Sequence, residues 1–283
     1  SLRLAKGIAR GNTKKVFVID TEAGKSKVYV NKEKVIKNVL TENIEIAVLE
    51  NVIDFNEYIK NGFKKLKKAK DYDHVVLWFE FDLFCHINML AAISFYREHQ
   101  PKVPFYLVCS KRQKGEDEFL PLSRLPQKHL LNHFNKKIQL EEEDLEIANL
   151  VWELYCSNDP MKLKKQIKKT SNFEYLSSCI RAHIERFPNS KTGINSLERN
   201  VLKLVENQQI TSFNQLLGYA LQYQGYYGYS DSQMERVLSK LSIFYALEDN
   251  RVVLTSKGQD VLNQKKNFYQ ELKNEEYLGG ARV

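Results

Sequence analysis

The chain has 283 residues, of which 43% are hydrophobic, and it carries a formal net charge of +8. This composition excludes a disordered tail and supplies enough apolar side chains for about two domains with buried cores. No apolar run in the sequence approaches the roughly 18 residues of a membrane span, and the basic N-terminal segment lacks the hydrophobic core of a signal peptide. The four cysteines are scattered without a Cys-x-x-Cys spacing, which indicates reduced thiols in a cytoplasmic protein.

The first 70 residues predict strands followed by a lysine-rich helix. Residues 16–20 and 44–49 are apolar runs typical of strands, and residues 27–30 are expected to pair with the first of them as a hairpin. A helix is predicted at about 55–70, with its apolar residues on one face and its lysines on the other. The lysines of that face include Lys64, Lys65, Lys67 and Lys68.

The stretch 74–96 joins a buried strand to an apolar helix almost without a loop. Residues 75–79 are continuously apolar, as expected of a strand that is buried on both faces in a parallel sheet. Asp82 is predicted to be the N-cap of a helix that begins at Leu83. The side chains of this helix expected to face the core are Phe84, Ile87, Leu90 and Phe95.

Three polar side chains stand where this strand ends. Glu80 and Asp82 are two residues apart and are expected to point to the same side, and His86 follows one helical turn later. Two acids and an imidazole beyond the carboxyl end of a strand suit a divalent metal or acid–base catalysis. A structural interpretation is equally open, in which Asp82 only caps the helix, Glu80 pairs with a lysine, and His86 is a half-buried helix residue.

A second continuous apolar run at residues 105–109 completes a strand–helix–strand unit, which is right-handed by default. We therefore predict an α/β fold in which residues 1–125 form a Rossmann-like, partly parallel sheet flanked by helices. Residues 126–190 are predicted to be a helical segment packed on that domain. Its helices are expected at about 127–137, 141–156 and 173–187.

Residues 191–283 predict a small winged-helix-like domain. Three helices, starting with Ser196 as an N-cap and continuing at 213–222 and 233–241, precede two short apolar runs around residues 248–251, which is a hairpin signal. A turn into a closing helix is expected at 254–262. Three helices, a hairpin and a closing helix, with a Leu-Thr-x-x-Gly-x-x-x-Leu ending, resemble winged-helix domains.

The basic residues are unevenly distributed along the chain. Residues 191–283 hold 11 Lys and Arg against 10 Asp and Glu, so +7 of the net charge lies before them. Nucleic acid would therefore meet mainly lysines of the first two thirds, with a smaller contribution from the third helix of the C-terminal domain. The candidate residues are Lys64, Lys65, Lys67, Lys68, Lys164, Lys165, Lys168, Arg236 and Lys240.

Two alternatives to nucleic-acid binding remain open for these features. Lysine runs of this kind are usually the solvated faces of amphipathic helices. The loop Gly225-Tyr-Tyr-Gly-Tyr229 could stack on bases, but it could equally be ordinary aromatic packing.

The motif Leu77-Trp-Phe-Glu-x-Asp-Leu83, followed by an apolar helix, resembles the core of the bacterial domain-of-unknown-function family 1835. Similarity continues in residues 104–110, 184–205 and 277–283, so the resemblance covers roughly residues 70–283. It implies an α/β fold and no particular activity. The chain departs from the family in lacking an N-terminal Asn-Gly-Asp motif and in having His86 where members tend to have Gln.

These patterns predict a cytosolic two-domain binding or regulatory protein with nucleic acid as the leading partner. The alternative is a hydrolase-like enzyme that acts on a phosphoester or nucleotide through the acids at residues 80–82. No cofactor is evident, although a divalent metal would suit that strand end. The C-terminal domain is expected to bind nucleic acid or another protein, no membrane association is expected, and the oligomeric state is left open.

Overall fold

A computed structural model describes residues 16–20, 44–48, 72–98, 103–110, 122, 125–167, 171–272 and 276–283. The predicted strand at 27–30 and the predicted helix at 55–70 lie outside these residues. Four of the lysines in that helix, Lys64, Lys65, Lys67 and Lys68, are therefore not placed, and neither is Lys168.

Strands and helices alternate in the first part of the described chain, and helices predominate in the later part. The strands are β1 (Val16–Asp20), β2 (Ile44–Val48), β3 (His74–Phe79), β4 (Phe105–Cys109), β5 (Ile138–Gln139), β6 (Tyr245–Glu248), β7 (Arg251–Leu254), β8 (Tyr277–Leu278) and β9 (Ala281–Arg282). The α-helices are α1 (Leu83–Glu98), α2 (Gln127–Asn135), α3 (Glu142–Cys156), α4 (Leu176–Ile184), α5 (Ser196–Asn207), α6 (Phe213–Gln222), α7 (Asp231–Lys240), α8 (Ser256–Leu262) and α9 (Tyr269–Leu272). Two 3₁₀ helices span Pro160–Gln166 and Leu241–Phe244.

One mixed sheet has the strand order β2-β1-β3-β4-β5. The first four strands are parallel and β5 is antiparallel to β4. The central strand, β3, pairs with β1 and β4, and Val75 to Phe79 within it are buried, with Trp78 at 0% exposure. A continuous apolar run is what a strand covered on both faces needs, and the prediction of a buried parallel strand here is confirmed.

Helix α1 connects the parallel strands β3 and β4, as the strand–helix–strand pattern predicted. The Tyr96 ring meets the Phe105 ring of β4 edge-on, with centroids 5.1 Å apart. The predicted inward face was only partly right, since Leu90 is buried but Phe84, Ile87 and Phe95 are half-buried. Apolar residues surround most of α1, so their spacing does not single out one face; the buried ones include Cys85, Met89, Ala92 and Ile93.

The antiparallel edge of the sheet is short and carries a cation. Strand β5 pairs with β4 at only two positions, Tyr106 with Gln139 and Leu107 with Ile138. Lys137, which directly precedes β5, places its Nζ 5.3 Å from the centroid of the Tyr106 ring. Its Nζ also lies 4.4 Å from the centroid of the Phe134 ring, so this lysine covers apolar surface at the edge.

The chain divides into two compact units that differ from the three predicted segments. Unit 1 comprises residues 1–81, 85–152 and 170–174 and contains the sheet. Unit 2 comprises residues 82–84, 153–169 and 175–283. The division runs through α3 after Trp152, so the boundaries expected at residues 125 and 190 are not the boundaries between these units.

Several helices of unit 2 begin at side-chain caps. Asn195, rather than the predicted Ser196, is the N-cap of α5; its side chain accepts a bond from the Glu198 N–H, and Glu198 Oε2 accepts one from the Asn195 N–H. This reciprocal pair is a capping box, which satisfies two free amides at once. The caps of α6 and α8 are one-sided: the Ser212 hydroxyl accepts the Gln215 N–H, and the Thr255 hydroxyl accepts the Gly258 N–H.

The predicted order of three helices, a hairpin and a closing helix is present in α5, α6, α7, β6–β7 and α8. The hairpin turns at Asp249 and Asn250, whose φ angles are 47° and 59°. Positive φ at both central residues matches the twist of the flanking strands, and Asp and Asn tolerate it well. Gly258 of α8 lies against the Phe244 carbonyl, where a side chain would have no room.

A second hairpin, β8–β9, was not predicted. Its Gly280 N–H donates to the Tyr155 carbonyl over 2.9 Å, and Cβ atoms on Gly279 and Gly280 would overlap the backbone of Tyr155 and Cys156. The last carbonyls of a helix lack partners within the helix. The hairpin supplies one at the end of α3 and needs two glycines to approach that closely.

Candidate functional site

Glu80 lies directly after β3 in unit 1 and is half-buried. Its Oε1 accepts a hydrogen bond from the backbone N–H of Leu122 over 2.7 Å. Leu122 itself is 7% exposed, so the carboxylate anchors a buried point of a distant segment to the end of β3. The sequence pattern did not predict this structural role.

His86 also lies in unit 1, on the second turn of α1. The residue is 1% exposed, so it is more deeply buried than the structural interpretation, a half-buried helix residue, had it. The helix is apolar around most of its circumference, and the imidazole is enclosed with its neighbours Cys85 and Met89. An imidazole enclosed to this degree does not face solvent.

Asp82 belongs to unit 2, where it lies against the tyrosine-rich loop at residues 225–229. Gly228 has a φ of 73°, and a Cβ atom there would overlap the Asp82 carboxyl group. The next residue, Leu83, donates its N–H to the Tyr226 carbonyl over 2.7 Å. Two stretches that the sequence presented separately are thus in contact.

The metal prediction for the strand end gains no support from geometry. Across the described part of the chain, no group of three or more His, Cys, Asp or Glu side chains is arranged to hold a metal ion. Glu80, Asp82 and His86 are all described and do not form such a group. The catalytic role of these three residues stays a prediction.

Unit 2 contains a cluster of polar aromatic side chains around one arginine, which we call the tyrosine cluster: Tyr155, His183, Arg186, Tyr227 and Tyr229. The Arg186 guanidinium lies 5.7 Å from the centroid of the Tyr229 ring, and Tyr227 and Tyr229 are stacked with centroids 6.1 Å apart. The His183 ring lies 4.7 Å from that of Tyr155. A cation over an aromatic face is attractive. Arg186, which lies just after α4, therefore holds the loop at residues 225–229 to the end of that helix.

Burial dominates the electrostatics of the tyrosine cluster. It lowers the pKa of His183 to about 4, with a further contribution from the positive charge of Arg186. It also raises the pKa of Tyr155 and of Tyr227, and the Glu185 carboxylate raises that of Tyr227 further. The imidazole is therefore neutral at neutral pH, and neither of its nitrogens has a hydrogen-bond partner among the described residues.

The sequence offered little warning of this cluster. Tyr155 falls in the helix predicted at 141–156, and His183 and Arg186 fall in the helix predicted at 173–187; neither helix was predicted to contribute to a site. Their proximity depends on how residues 155, 183–186 and 227–229 come together in unit 2. A neutral, enclosed imidazole among aromatic rings indicates a packed core with polar edges.

The lysine-rich segment after α3 forms the 3₁₀ helix Pro160–Gln166. Asp159 caps it by accepting the Met161 N–H over 3.0 Å, and Leu163 is 1% exposed and anchors it. Lys162, Lys164 and Lys165 are exposed and form no ion pair with any residue that the structure describes. With respect to the part of the chain that the structure describes, these three cations are unpaired and available to an anionic partner.

Helix α7 offers fewer free cations than the sequence suggested. Lys240 Nζ lies 2.7 Å from Glu198 Oε1, and the Glu198 side chain is 2% exposed. The expectation that Lys240 points outward as a nucleic-acid contact is therefore not supported, because its charge neutralises a buried carboxylate. Arg236 is exposed, and its Nε donates to the Ser232 carbonyl within the same helix.

Comparison with known proteins identifies no relative. No family model, curated protein or solved structure matches the chain significantly. The resemblance to the domain-of-unknown-function family 1835 therefore stays a prediction from its motifs. Within the described residues, no helix is long and apolar enough to cross a membrane.

Proposed function

We propose that this chain is a nucleic-acid-binding protein that contacts phosphates through lysine-bearing surfaces. The observation that supports the proposal best is the anchored segment with Lys162, Lys164 and Lys165, all exposed and without an ion pair in the described structure. Each phosphate contact requires a cation that is free to displace a counterion. A lysine that is already paired with a carboxylate contributes less to the binding free energy that comes from counterion displacement.

The second part of the proposal concerns the fold of each unit. The parallel strands of unit 1 support a Rossmann-like sheet, and the order α5, α6, α7, β6–β7 and α8 supports a winged-helix-like module. In many such modules the third helix reads the major groove. Here α7 exposes Asp231, Glu235 and Arg236, and the hairpin exposes Glu248, Asp249 and Arg251.

That balance is unfavourable for phosphate, since each element exposes two acids and one arginine. We therefore propose that the winged-helix-like module docks a protein or contributes little to nucleic-acid affinity. Sequence-independent contacts would come from the lysine-rich segment, with Lys162, Lys164 and Lys165, and from Lys64, Lys65, Lys67 and Lys68. A cytoplasmic location belongs to the same proposal, because the four cysteines are scattered in the sequence without a Cys-x-x-Cys spacing.

A salt titration of binding tests the proposal. The full chain is titrated with fluorescein-labelled duplex DNA at several salt concentrations, beside a variant in which Lys162, Lys164 and Lys165 are replaced by Gln. The slope of log K against log salt should become shallower by about 0.9 for each duplex phosphate that the variant no longer neutralises, so by roughly 2.7 if all three lysines contribute. Affinity for unrelated sequences should fall in parallel.

The matched control removes three exposed lysines elsewhere, Lys128, Lys136 and Lys203, which also lack described ion pairs. Net charge then changes equally in both variants. If the control reduces the salt slope as much as the lysine-segment variant does, binding follows net charge alone and the assigned surface is wrong. If the unaltered chain binds neither duplex nor single-stranded DNA or RNA at low salt, the proposed function is wrong.

A further inference from the structure

Unit 2 contains an open cleft of about 690 Å³ that neither the sequence motifs nor the proposed function uses. Its walls are the loop at residues 187–190, the segment 266–271 and the end of β9. Small-molecule sites typically have volumes of roughly 300–1,000 Å³. The cleft therefore has the size of a site for a ligand of about a nucleotide's bulk.

Backbone contacts hold two of these walls together. The Phe268 N–H donates to the Thr192 carbonyl over 2.9 Å, and Asn267 Nδ2 donates to the Ser190 carbonyl over 2.8 Å. Gly193, with a φ of 77°, packs so closely on the backbone of Tyr269 that a Cβ atom would overlap it. The cleft is thus preformed, and a ligand would not need to order its walls.

The charges that line the cleft favour an anion. Glu271 is the acid in its wall, and Lys257 and Lys266 each lie 2.8 Å from its carboxylate. Hydrogen bonds from Lys257 and then Lys266 lower the pKa of Glu271. Lys257 lies outside the lining, and within the lining Lys266 and Glu271 neutralise each other. Arg282 forms no ion pair with a described residue, so the lining side chains together carry one positive charge, at this arginine.

The same cleft presents aromatic and amide groups beside these cations. Tyr269 lines it with 41% of its surface exposed, and Gln270 and Asn267 add side-chain amides. A partly exposed tyrosine offers a face on which a planar base can stack. Arginine suits phosphate through paired N–H donors.

We propose that this cleft binds a nucleotide, with the phosphate at Arg282 and the base against Tyr269. The ligand is defined by a phosphate and a planar base in the same molecule. A free nucleotide and the phosphorylated end of a nucleic-acid strand both meet this definition. The site is separate from the lysine segment of the proposed function and does not depend on it.

Calorimetric titration of the full chain with AMP, adenosine and inorganic phosphate tests this. AMP should bind, and adenosine and phosphate should each bind at least about tenfold more weakly, because each retains only one of the two recognised groups. Arg282→Gln and Tyr269→Leu should each weaken AMP binding by about tenfold. Tyr269→Phe, which keeps the ring, and Arg251→Gln, which removes an exposed arginine outside the cleft, should leave it within about twofold.

Two further arms identify the source of the nucleotide and guard against misfolding. A short single strand with a 5′ phosphate should compete with AMP if strand ends are bound, and the same strand without the phosphate should not; a free-nucleotide site would reject both. Arg282→Lys keeps the charge and should bind AMP between the unaltered chain and Arg282→Gln. Thermal unfolding of each variant should match that of the unaltered chain.

The proposal is overturned if AMP shows no binding at millimolar concentration. It is also overturned if phosphate alone binds as tightly as AMP, or if folded Arg282→Gln binds AMP normally. The lysine-segment variant described above should still bind AMP. A lysine-segment variant that loses nucleic-acid binding but keeps AMP binding would thus separate the two proposals. So would an Arg282→Gln variant that loses AMP binding but keeps nucleic-acid binding.

Discussion

At the scale of single residues, glycine positions report close approaches that the sequence does not announce. Gly225 and Gly228 belong to the same loop and both have left-handed φ angles, 69° and 73°. A Cβ atom at Gly228 would overlap the side chain of Asp82, whereas a Cβ atom at Gly225 would lie in open space. Substitutions at these two glycines therefore distinguish the cost of a left-handed backbone from the cost of steric overlap.

Gly228→Ala should lower the free energy of unfolding by about 2–4 kcal/mol, because it adds overlap with Asp82 to the cost of a left-handed alanine. Gly225→Ala should cost about 1–2 kcal/mol, which is the left-handed conformation alone. Urea unfolding of both variants, and of Gly228→Ala combined with Asp82→Ala, measures the difference. In the double variant the excess cost at Gly228 should shrink but not vanish, because the Cβ that alanine keeps at residue 82 would still lie 2.8 Å from the added methyl group. Equal costs at Gly225 and Gly228 would contradict a tight contact with Asp82.

His183 should make the free energy of unfolding depend on pH. Its pKa is about 4 in the folded protein against an ordinary 6.5, so below pH 6.5 the unfolded chain takes up a proton that the folded protein excludes. Stability should therefore fall as the pH drops from 6.5 towards 4 and level off below that, by about 3 kcal/mol in all. Above pH 6.5 this residue should contribute no pH dependence.

The measurement is urea unfolding at half-unit steps from pH 7.5 to pH 4. His183→Phe, which keeps a ring between Tyr155 and Phe187, should flatten the profile over this range. His129→Gln, at an exposed histidine, should retain the slope of the unaltered chain. A profile unchanged by His183→Phe would show that other groups cause the acid sensitivity.

Single positions also show what a sequence can predict about a site. Trp78 was correctly placed in a buried strand, because five consecutive apolar residues admit few other environments. His86 was offered as a site residue or as a half-buried helix residue and is enclosed, because an apolar helix gives no sign of which way its one imidazole points. The contact of Asp82 with Gly228 joins residues far apart in the chain, and no local pattern encodes such a contact.

At the scale of elements, a buried ion pair joins α5 to α7. Glu198 serves both the capping box of α5 and Lys240 of α7, using one oxygen for each. The carboxylate is 2% exposed, whereas Lys240 is 22% exposed. Removing the lysine would leave a charge with little access to water.

Lys240→Ala should lower the free energy of unfolding by about 2–4 kcal/mol, since a buried carboxylate loses its counterion. Arg236→Ala, at an exposed residue of the same helix, should change it by less than about 0.5 kcal/mol. Adding Glu198→Gln to Lys240→Ala should recover part of the loss. Thermal and urea unfolding measure these differences. Similar small effects of Lys240→Ala and Arg236→Ala would mean that the pair is solvated in solution.

The elements differed in how well their patterns predicted them. Residues 213–222 were predicted as a helix and form α6 with the same bounds, because polar caps and apolar spacing agree there. The helix expected at 173–187 spans only Leu176–Ile184. The two-residue strands β5, β8 and β9 were missed, since so short a strand depends on its partner and has no periodicity of its own.

At the scale of the molecule, the division of charge predicts where nucleic acid binds. Replacing Lys64, Lys65, Lys67 and Lys68 with Gln should weaken binding to all sequences and flatten its salt dependence, by about 0.9 in slope for each duplex phosphate left without a lysine. Arg236→Ala should have a smaller effect, because α7 also exposes Asp231 and Glu235. Filter binding at several salt concentrations compares the two. A larger loss of affinity from Arg236→Ala would make α7 the principal nucleic-acid surface.

The larger architecture was predicted in its element order but not in its partition. Alternating strands and helices indicated the parallel sheet, and turn residues indicated the hairpin β6–β7. The division after Trp152 was not foreseen, since it cuts a single amphipathic helix whose pattern is continuous. Composition and spacing describe neighbours in the chain, whereas the two units are defined by contacts between distant stretches.

The short edge strand β5 has a consequence for how the protein behaves at high concentration. An open strand edge is a template on which another chain can add its own strand and begin aggregation. Here the sheet ends, beside β4, in the two-residue antiparallel strand β5, which Lys136 and Lys137 directly precede. A second chain would find few backbone groups to pair with and would have to bury a lysine. This edge should therefore resist the intermolecular stacking that longer apolar edges invite.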